Sequence, residues 1–380
     1  MVSTLGTVAW GTAAVVAGSL LQAGLSPALP GGADGAGPDQ VGVRSAANVP
    51  VTVTGTRSVV SERTAKLKAT VPASAQDLPV GTQVEWQSRA AGTAAWGTVE
   101  RLPLTAAGQA SVEVSPWKTT EYRAVIRTGG GPAVGTSAPF LVSTEPEASP
   151  VAGPEGVPEP RFDGSSDPSR RPRAVGKGAH AVVSSIADPV WSRMSGVSAG
   201  EDCPVGRNDL RYVQVNYWGF DGYRYRGEIV VNESIAQATA AAFTDLYRLR
   251  YPIRQMRLAD DFGKDAVKGA DDYAAMSADN TSGFNCRYVD GKEADRVLSP
   301  HSRGVAIDIN TWENPFQAKT GVFPDSAYLD RGIDHEALIS GPESPIAQVF
   351  ESRGLVWGGR WTEKDYHHFE APAAVRPEDG

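Results

Sequence analysis

The chain has 380 residues, more than one ordinary core holds, so two or more domains are expected. Its 41% hydrophobic and 21% charged residues exclude a disordered chain and a multi-span membrane protein. A net charge of −8 argues against nucleic-acid binding, and two cysteines exclude a disulfide-rich scaffold or a cysteine zinc finger.

Residues 1–28 read as a signal peptide or apolar leader. Thr7–Leu25 is rich in Ala, Val and Gly, and Ser26-Pro27-Ala28 is a loose small-x-small cleavage site. No Lys or Arg precedes Arg44, so the usual basic region is missing. Thr, Ser, Gln and Gly dilute the run, which disfavours a stable membrane span. Export to the cell exterior is the resulting expectation. Residues 29–47 read as a flexible linker.

From residue 48 to 145 the pattern alternates with period two. Val51–Thr54, Ala65–Val71, Thr82–Gln87, Gln109–Val114, Glu121–Ile126 and Ala138–Val142 are short runs separated by turn residues. That spacing predicts an all-β sandwich with Trp86, Trp96 and Tyr122 as core or inter-sheet aromatics. In pattern the block resembles the Ig-like or fibronectin-like spacers of secreted proteins. Residues 146–198 then read as a Pro-rich linker, with seven prolines between 146 and 172. Arg170, Arg171 and Arg173 form a small solvated cluster within it.

Residues 199–372 are denser. Leu210–Tyr217 and Gly227–Val231 predict a hairpin turning at Phe220-Asp221-Gly222. Asn232 is placed to cap a helix carrying Ile235, Thr239, Ala242, Leu246 and Leu249 on one face, closed by Pro252. Mixed strands and helices predict an α+β domain with a small antiparallel sheet. Residues 373–380 read as a tail.

Two segments carry chemistry. In Leu298–Asn310, Val305, Ile307 and Ile309 alternate with Ala306, Asp308 and Asn310, a strand with an apolar face and a carboxylate on the other. A charge on such a strand needs a cation, a hydrogen-bond cage or an exposed cleft. His301 sits just before it, and Gly304 lets the intervening turn bend back. The second segment runs from Trp357-Gly358-Gly359-Arg360-Trp361 to Asp365-Tyr366-His367-His368-Phe369-Glu370. A continuous strand would put Asp365 and His368 on opposite faces, and a turn between them lets them converge. His301, Asp308 and His368 together make three ligands with a fourth position left for water, the pattern of a catalytic zinc site. Zinc lowers the pKa of such water to about 7, and a carboxylate such as Asp365 can take its proton. The residue types alone also admit a turn-capping His301, an Asp308 paired with arginine, and a core His368.

At these residues the chain resembles the VanY-type zinc D-alanyl-D-alanine carboxypeptidases and related peptidoglycan endopeptidases. The family pattern Ser-x-His-x-x-Gly-x-Ala-x-Asp is met at Ser299, His301, Gly304, Ala306 and Asp308, and the acid-x-x-His at Asp365 and His368. The family's upstream arginine matches Arg287, and Trp357-Gly358-Gly359-x-Trp361 is also similar. The resemblance covers about residues 203–371. It implies Zn2+ on His301, Asp308 and His368, with Asp365 as general base and Arg287 holding a substrate carbonyl or carboxylate. Ser299, Trp361 and His367 would contact substrate; Ser299 alternatively orients His301, and Arg287 alternatively forms a structural ion pair. The implied substrate is a peptidoglycan peptide cut by a monomeric, cell-wall-associated enzyme. The competing expectation is a non-catalytic zinc-containing wall-binding module. Cys203 and Cys286 form the candidate disulfide of an exported protein.

Overall fold

The computed structural model describes residues 48–162 and 171–372. The expected leader, the 29–47 linker, Arg170 and the 373–380 tail lie outside them.

Alternation becomes strands throughout the N-terminal block. These are β1 (Thr52–Gly55), β2 (Ser58–Val60), β3 (Ala65–Thr70), β4 (Gln83–Ala90), β5 (Gly97–Pro103), β6 (Gln109–Val114), β7 (Thr120–Arg127), β8 (Ala133–Thr136) and β9 (Phe140–Glu145). They form one sheet in the order β1-β3-β6 and another in the order β2-β9-β7-β4-β5, with β8 on β7. In β3, Ala65, Leu67 and Ala69 are buried while Lys66 and Lys68 are exposed, as a half-buried strand requires. Leu67 of one sheet and Trp86 and Tyr122 of the other share a single apolar core. Trp96 is not part of it. It lies half-buried under the guanidiniums of Arg89 and Arg123, 4.5 and 4.3 Å from its ring, because strand parity turns those arginines away from the core.

The expected 146–198 linker is not a free tether. Ala148 and Val151 donate backbone hydrogen bonds to Gly222 and Phe220, Arg161 donates to Ser277, and Pro158 accepts from the Trp312 indole. Farther on it forms β10 (Val182–Ser184), which pairs with β11 (Leu210–Trp218), and α1 (Asp188–Met194). Arg171 is buried, its guanidinium 3.7 Å from the Tyr225 ring. The prolines remove backbone donors but leave the carbonyls and intervening N–H groups free to pair with the domain beneath. The β-block is docked too. Glu62 pairs with Arg173 and Arg224, Lys118 with Asp221, and Trp117 meets Tyr225 edge-on at 5.4 Å.

β11 and β12 (Arg224–Asn232) make the expected hairpin. Asn232 Oδ1 accepts from Ser234 N and starts α2 (Glu233–Arg248), whose Ile235, Ala242, Phe243 and Leu246 are buried. Short elements follow: β13 (Gln255–Met256), α3 (Asp272–Ser277), β14 (Asn280–Thr281), β15 (Ala306–Asp308), β16 (Phe316–Ala318), β17 (Gly321–Phe323), α4 (Pro345–Glu351), β18 (Val356–Trp357), β19 (Lys364–Asp365) and β20 (His368–Glu370). The region is thus several small sheets with few helices. One core joins Val213 and Ile229 of the hairpin to Phe243 of α2, Phe350 of α4, Ile307 of β15 and Phe369 of β20. His335 is buried between Tyr328 and Phe220, since an uncharged imidazole packs as an aromatic ring. Cys203 and Cys286 form the anticipated disulfide, Cα–Cα 5.9 Å across 83 residues.

Candidate metal centre

His301 stands on a single 3-10 turn, Pro300–Arg303. Ser299 caps that turn, its hydroxyl accepting from His301 N at 3.3 Å. Ser299 thus orients the histidine's turn. Gly304 follows with φ 68°, and a Cβ there would lie 2.7 Å from Asn232 N. The glycine is therefore needed both for the left-handed bend and for close approach to the end of β12. Asn232 N donates to Gly304 O at 2.7 Å, which ties the turn to the start of α2.

β15 and β20 pair antiparallel, with Asp308 directly opposite His368. β19 and β20 are separate strands on different sheets. The break at Tyr366-His367 is what brings Asp365 and His368 to the same centre. His301 Nε2 lies 3.1 Å from Asp308 Oδ2, and His368 Nδ1 lies 2.9 Å from Asp308 Oδ1. The two imidazole nitrogens are 3.3 Å apart.

The remaining ring nitrogens are engaged from behind. His301 Nδ1 donates to Gly283 O at 2.7 Å, since a carbonyl only accepts. That fixes the tautomer and aims the Nε2 lone pair at the centre. Behind His368, Glu370 Oε2 lies 3.4 Å from Nε2, a carboxylate backing of the kind found at metal-bound histidines. Burial opposes ionisation of Asp308, but His301, His367 and His368 outweigh it and hold its carboxyl well below the usual range. Burial likewise pulls His368 down. The hydrogen bonds to Asp308 and Glu370 prevail and push it up to about 10.

His301, Asp308 and His368 are buried, and one ligand atom from each lies within 4.8 Å of the others. With zinc bonds of about 2.0–2.1 Å, a tetrahedral edge measures roughly 3.3 Å. His301 Nε2 and His368 Nδ1 stand at that edge, and each lies slightly closer to one of the two Asp308 oxygens. Two imidazole nitrogens and a carboxylate converge on one point, and a divalent cation there would take the place of the proton that His368 otherwise carries. The residues present fit a divalent metal.

Asp365 Oδ1 is buried without a hydrogen-bond partner, and burial raises its pKa. His367 Nε2 lies 3.1 Å from Asp365 Oδ1 but is poorly aligned for a hydrogen bond. His367 Nδ1 donates to Asn314 O at 2.8 Å. This histidine, expected to line the cleft, is buried behind Asp365. Trp361 remains half-buried with its ring centroid 5.3 Å from that of His368.

The glycines of Trp357-Gly358-Gly359 make room. A Cβ on Gly358 would lie 2.7 Å from Asp365 O and 2.9 Å from Asp365 Cβ, and one on Gly359 would enter the Trp357 ring.

Arg287 is brought toward the centre by its backbone. Its N donates to Ser302 Oγ at 3.0 Å, and that hydroxyl donates back to Arg287 O at 2.7 Å. Its guanidinium pairs with Asp272 Oδ2 at 2.8 Å. Nε is left buried and unpartnered. Sequence reasoning missed Asp272, Gly283 and Asn314. Asp272 and Asn314 lie in no motif, and the Gly283 carbonyl carries no residue-type signal.

Comparison with known proteins bears on this region. The family model described as D-alanyl-D-alanine carboxypeptidase matches residues 292–371, a segment that holds His301, Asp308, Asp365 and His368. No curated protein matches. Among solved structures, a superoxide reductase (neelaredoxin) from Ignicoccus hospitalis aligns at 11% identity over 26% of this chain and 83% of its own, with a TM-score of 0.22. That likeness is too slight to inform either fold or chemistry. The motif order and the matched segment agree: residues 292–371 are similar to the D-alanyl-D-alanine carboxypeptidase family, as the VanY-like motifs implied, and this likeness supports a peptidase enzyme.

Proposed function

We propose that this protein is an exported zinc metallopeptidase that hydrolyses peptide bonds in the stems of bacterial peptidoglycan, at D-alanyl-D-alanine or a related bond. The carrying observation is the convergence of His301, Asp308 and His368, with Asp365 alongside, its Oδ1 buried without a hydrogen-bond partner. Zinc held by the three side chains would supply Lewis acidity and lower the pKa of water.

This chain's residues do the rest. Asp365 takes a proton from the attacking water and returns it to the leaving amine. Its raised pKa suits both roles, because a carboxyl nearer neutrality both accepts and releases protons at working pH. Arg287 holds a substrate carbonyl or carboxylate, while Asp272 fixes one end of its guanidinium. Trp361 forms an aromatic wall beside His368.

The β-block is an Ig-like sandwich in this reading. Fixed to the peptidase domain by Glu62, Lys118 and Trp117, it serves as a rigid extension. The disulfide fits an oxidising exterior, and among the described residues no helix is long and apolar enough to cross a membrane. The enzyme acts as a monomer at the cell wall.

The test is a muropeptide digest by zinc-loaded protein, resolved by mass spectrometry. Cleavage of one defined stem or crosslink bond is expected. No product from D-Ala-D-Ala, L-Ala-D-Glu or crosslinked substrates would defeat the proposal.

A further inference from the structure

Asn285 stands two residues before Arg287, and it is buried. Its main-chain N donates to His301 O at 3.2 Å, on the turn that carries the metal-ligand candidate. Its side-chain amide pairs with Ala270 in both directions. Oδ1 accepts from Ala270 N at 2.9 Å, and Nδ2 donates to Ala270 O at 3.1 Å. Ala270 is itself fully buried, so neither of its backbone groups can turn to water. A primary amide at this short reach meets both needs. A carboxylate lacks the donor, and a glutamine amide sits one methylene too far out.

Ala270 lies two residues before Asp272, the first residue of α3 and the ion-pair partner of Arg287. Asp271, between them, caps α3 by accepting from Ala274 N at 2.9 Å. Close approach is built in here. Gly269 has φ 89°, and a Cβ on it would lie 2.7 Å from Asn285 Oδ1 and 3.1 Å from Arg287 Cβ. Arg287 is therefore anchored twice. Its backbone is held to the His301 turn, where Ser299 N donates to Arg287 O at 3.0 Å beside the Ser302 pair. Its guanidinium is held to α3 through Asp272. The guanidinium keeps a fixed position only while these two anchors keep their spacing, and the Asn285 amide spans them.

We propose that Asn285 is a positioning residue for Arg287: its amide locks the start of α3 to the metal-ligand turn and so holds the Arg287 guanidinium where substrate meets it. The proposal rests on the peptidase reading, in which Arg287 touches substrate. The main-chain bond to His301 survives any substitution of Asn285 except proline, so the side chain acts on Arg287 and not on the metal.

The experiment uses the zinc-loaded full chain and the stem peptide L-Ala-γ-D-Glu-L-Lys-D-Ala-D-Ala. Asn285→Ala and Asn285→Asp are each made alone and combined with Arg287→Ala. Alone, Asn285→Ala should lower kcat/KM about ten- to a hundredfold, the usual cost of a misplaced group, with zinc stoichiometry unchanged. Asn285→Asp keeps the size and the acceptor for Ala270 N but not the donor, and should show the same pattern. In the Arg287→Ala background either substitution should cost less than about twofold, because the group it misplaces is already gone. No loss in Asn285→Ala, or equal losses in the two backgrounds, overturns the positioning role and leaves the peptidase reading standing. Failure of both variants to fold or to hold zinc also overturns it, since the amide would then be purely structural. A peptide that binds without being cleaved sinks the peptidase reading, and the same cycle read on Kd by calorimetry then decides the positioning role by itself. A peptide neither bound nor cleaved defeats both.

Discussion

Asp308 and His368 face each other across the β15–β20 pair, with Oδ1 and Nδ1 2.9 Å apart. The pairing register makes this contact, and a slip of one residue would send His368 to the opposite face. A two-stranded contact thus fixes two of the three candidate ligands to the backbone, and His301 completes the set from a capped turn beside them.

Metal content follows from this arrangement. We expect about one equivalent of zinc per chain by elemental analysis, and less than a tenth of that in His368→Ala or His301→Ala. Chelation should lower the melting temperature of the unaltered protein, because the ion binds only the folded state. A melting temperature indifferent to chelator, with substoichiometric metal, would remove the centre from the model of function.

Asp365 is separable from metal binding. Asp365→Asn should reduce kcat about 10²–10⁴-fold, the usual contribution of a general acid–base, while zinc stoichiometry stays within error. Unchanged turnover would exclude Asp365 from proton transfer. Loss of zinc in the same variant would show that it binds metal instead.

Gly358 should tolerate no side chain. The methyl of Gly358→Ala would meet the backbone oxygen of Asp365 at 2.7 Å and push β19 away from the centre. We expect a destabilisation of about 1–3 kcal/mol, typical of overpacking, together with loss of most turnover. Gly354 has open space where a Cβ would stand but φ 84°, so Gly354→Asn, which suits left-handed backbone, is the control expected to leave turnover intact.

Glu85 gives the β-block a pH signature. Its carboxylate is buried on the outer face of β4, 2.9 Å from Arg101 and 2.8 Å from Arg127. Burial opposes ionisation, but Gln87, the two arginines and Thr98 outweigh it and bring its pKa from 4.5 to about 2. A folded pKa below the unfolded one means stability fully present above about 4.5 and lost as pH falls towards about 2. Glu85→Gln should therefore destabilise the block by about 1–3 kcal/mol at pH 7, a figure reduced by the solvent access of Arg101. In denaturant titrations the gap between variant and parent should close between pH 4.5 and 2. A gap independent of pH would mean that the charge is not the source.

Much of this was legible because local rules carry it. Period-two alternation marked β3, β4 and β7, and Asn232 announced α2 by its capping chemistry. The spacing of Ser299, His301, Gly304 and Asp308 compresses a capped turn, a left-handed bend and a strand into ten residues, so the motif is nearly a local structure. Trp96 was misplaced because a tryptophan stacked on two arginines has the same composition as one in a core. The 146–198 segment was misread because proline content reports missing donors and stiff backbone, not whether a neighbouring surface accepts the chain.

The sequence by itself determined which side chains are available for metal and proton chemistry, in what order, and on which kind of element each lies. Only the tertiary structure decided that β19 and β20 part company, that Glu370 and Gly283 stand behind the histidines, and that Asp272 takes up Arg287. The physical reason is range. Turns, caps and strand faces are set by neighbours a few residues away, whereas the pairing of Asp308 with His368 spans 60 residues and depends on how separate sheets bury their shared apolar face.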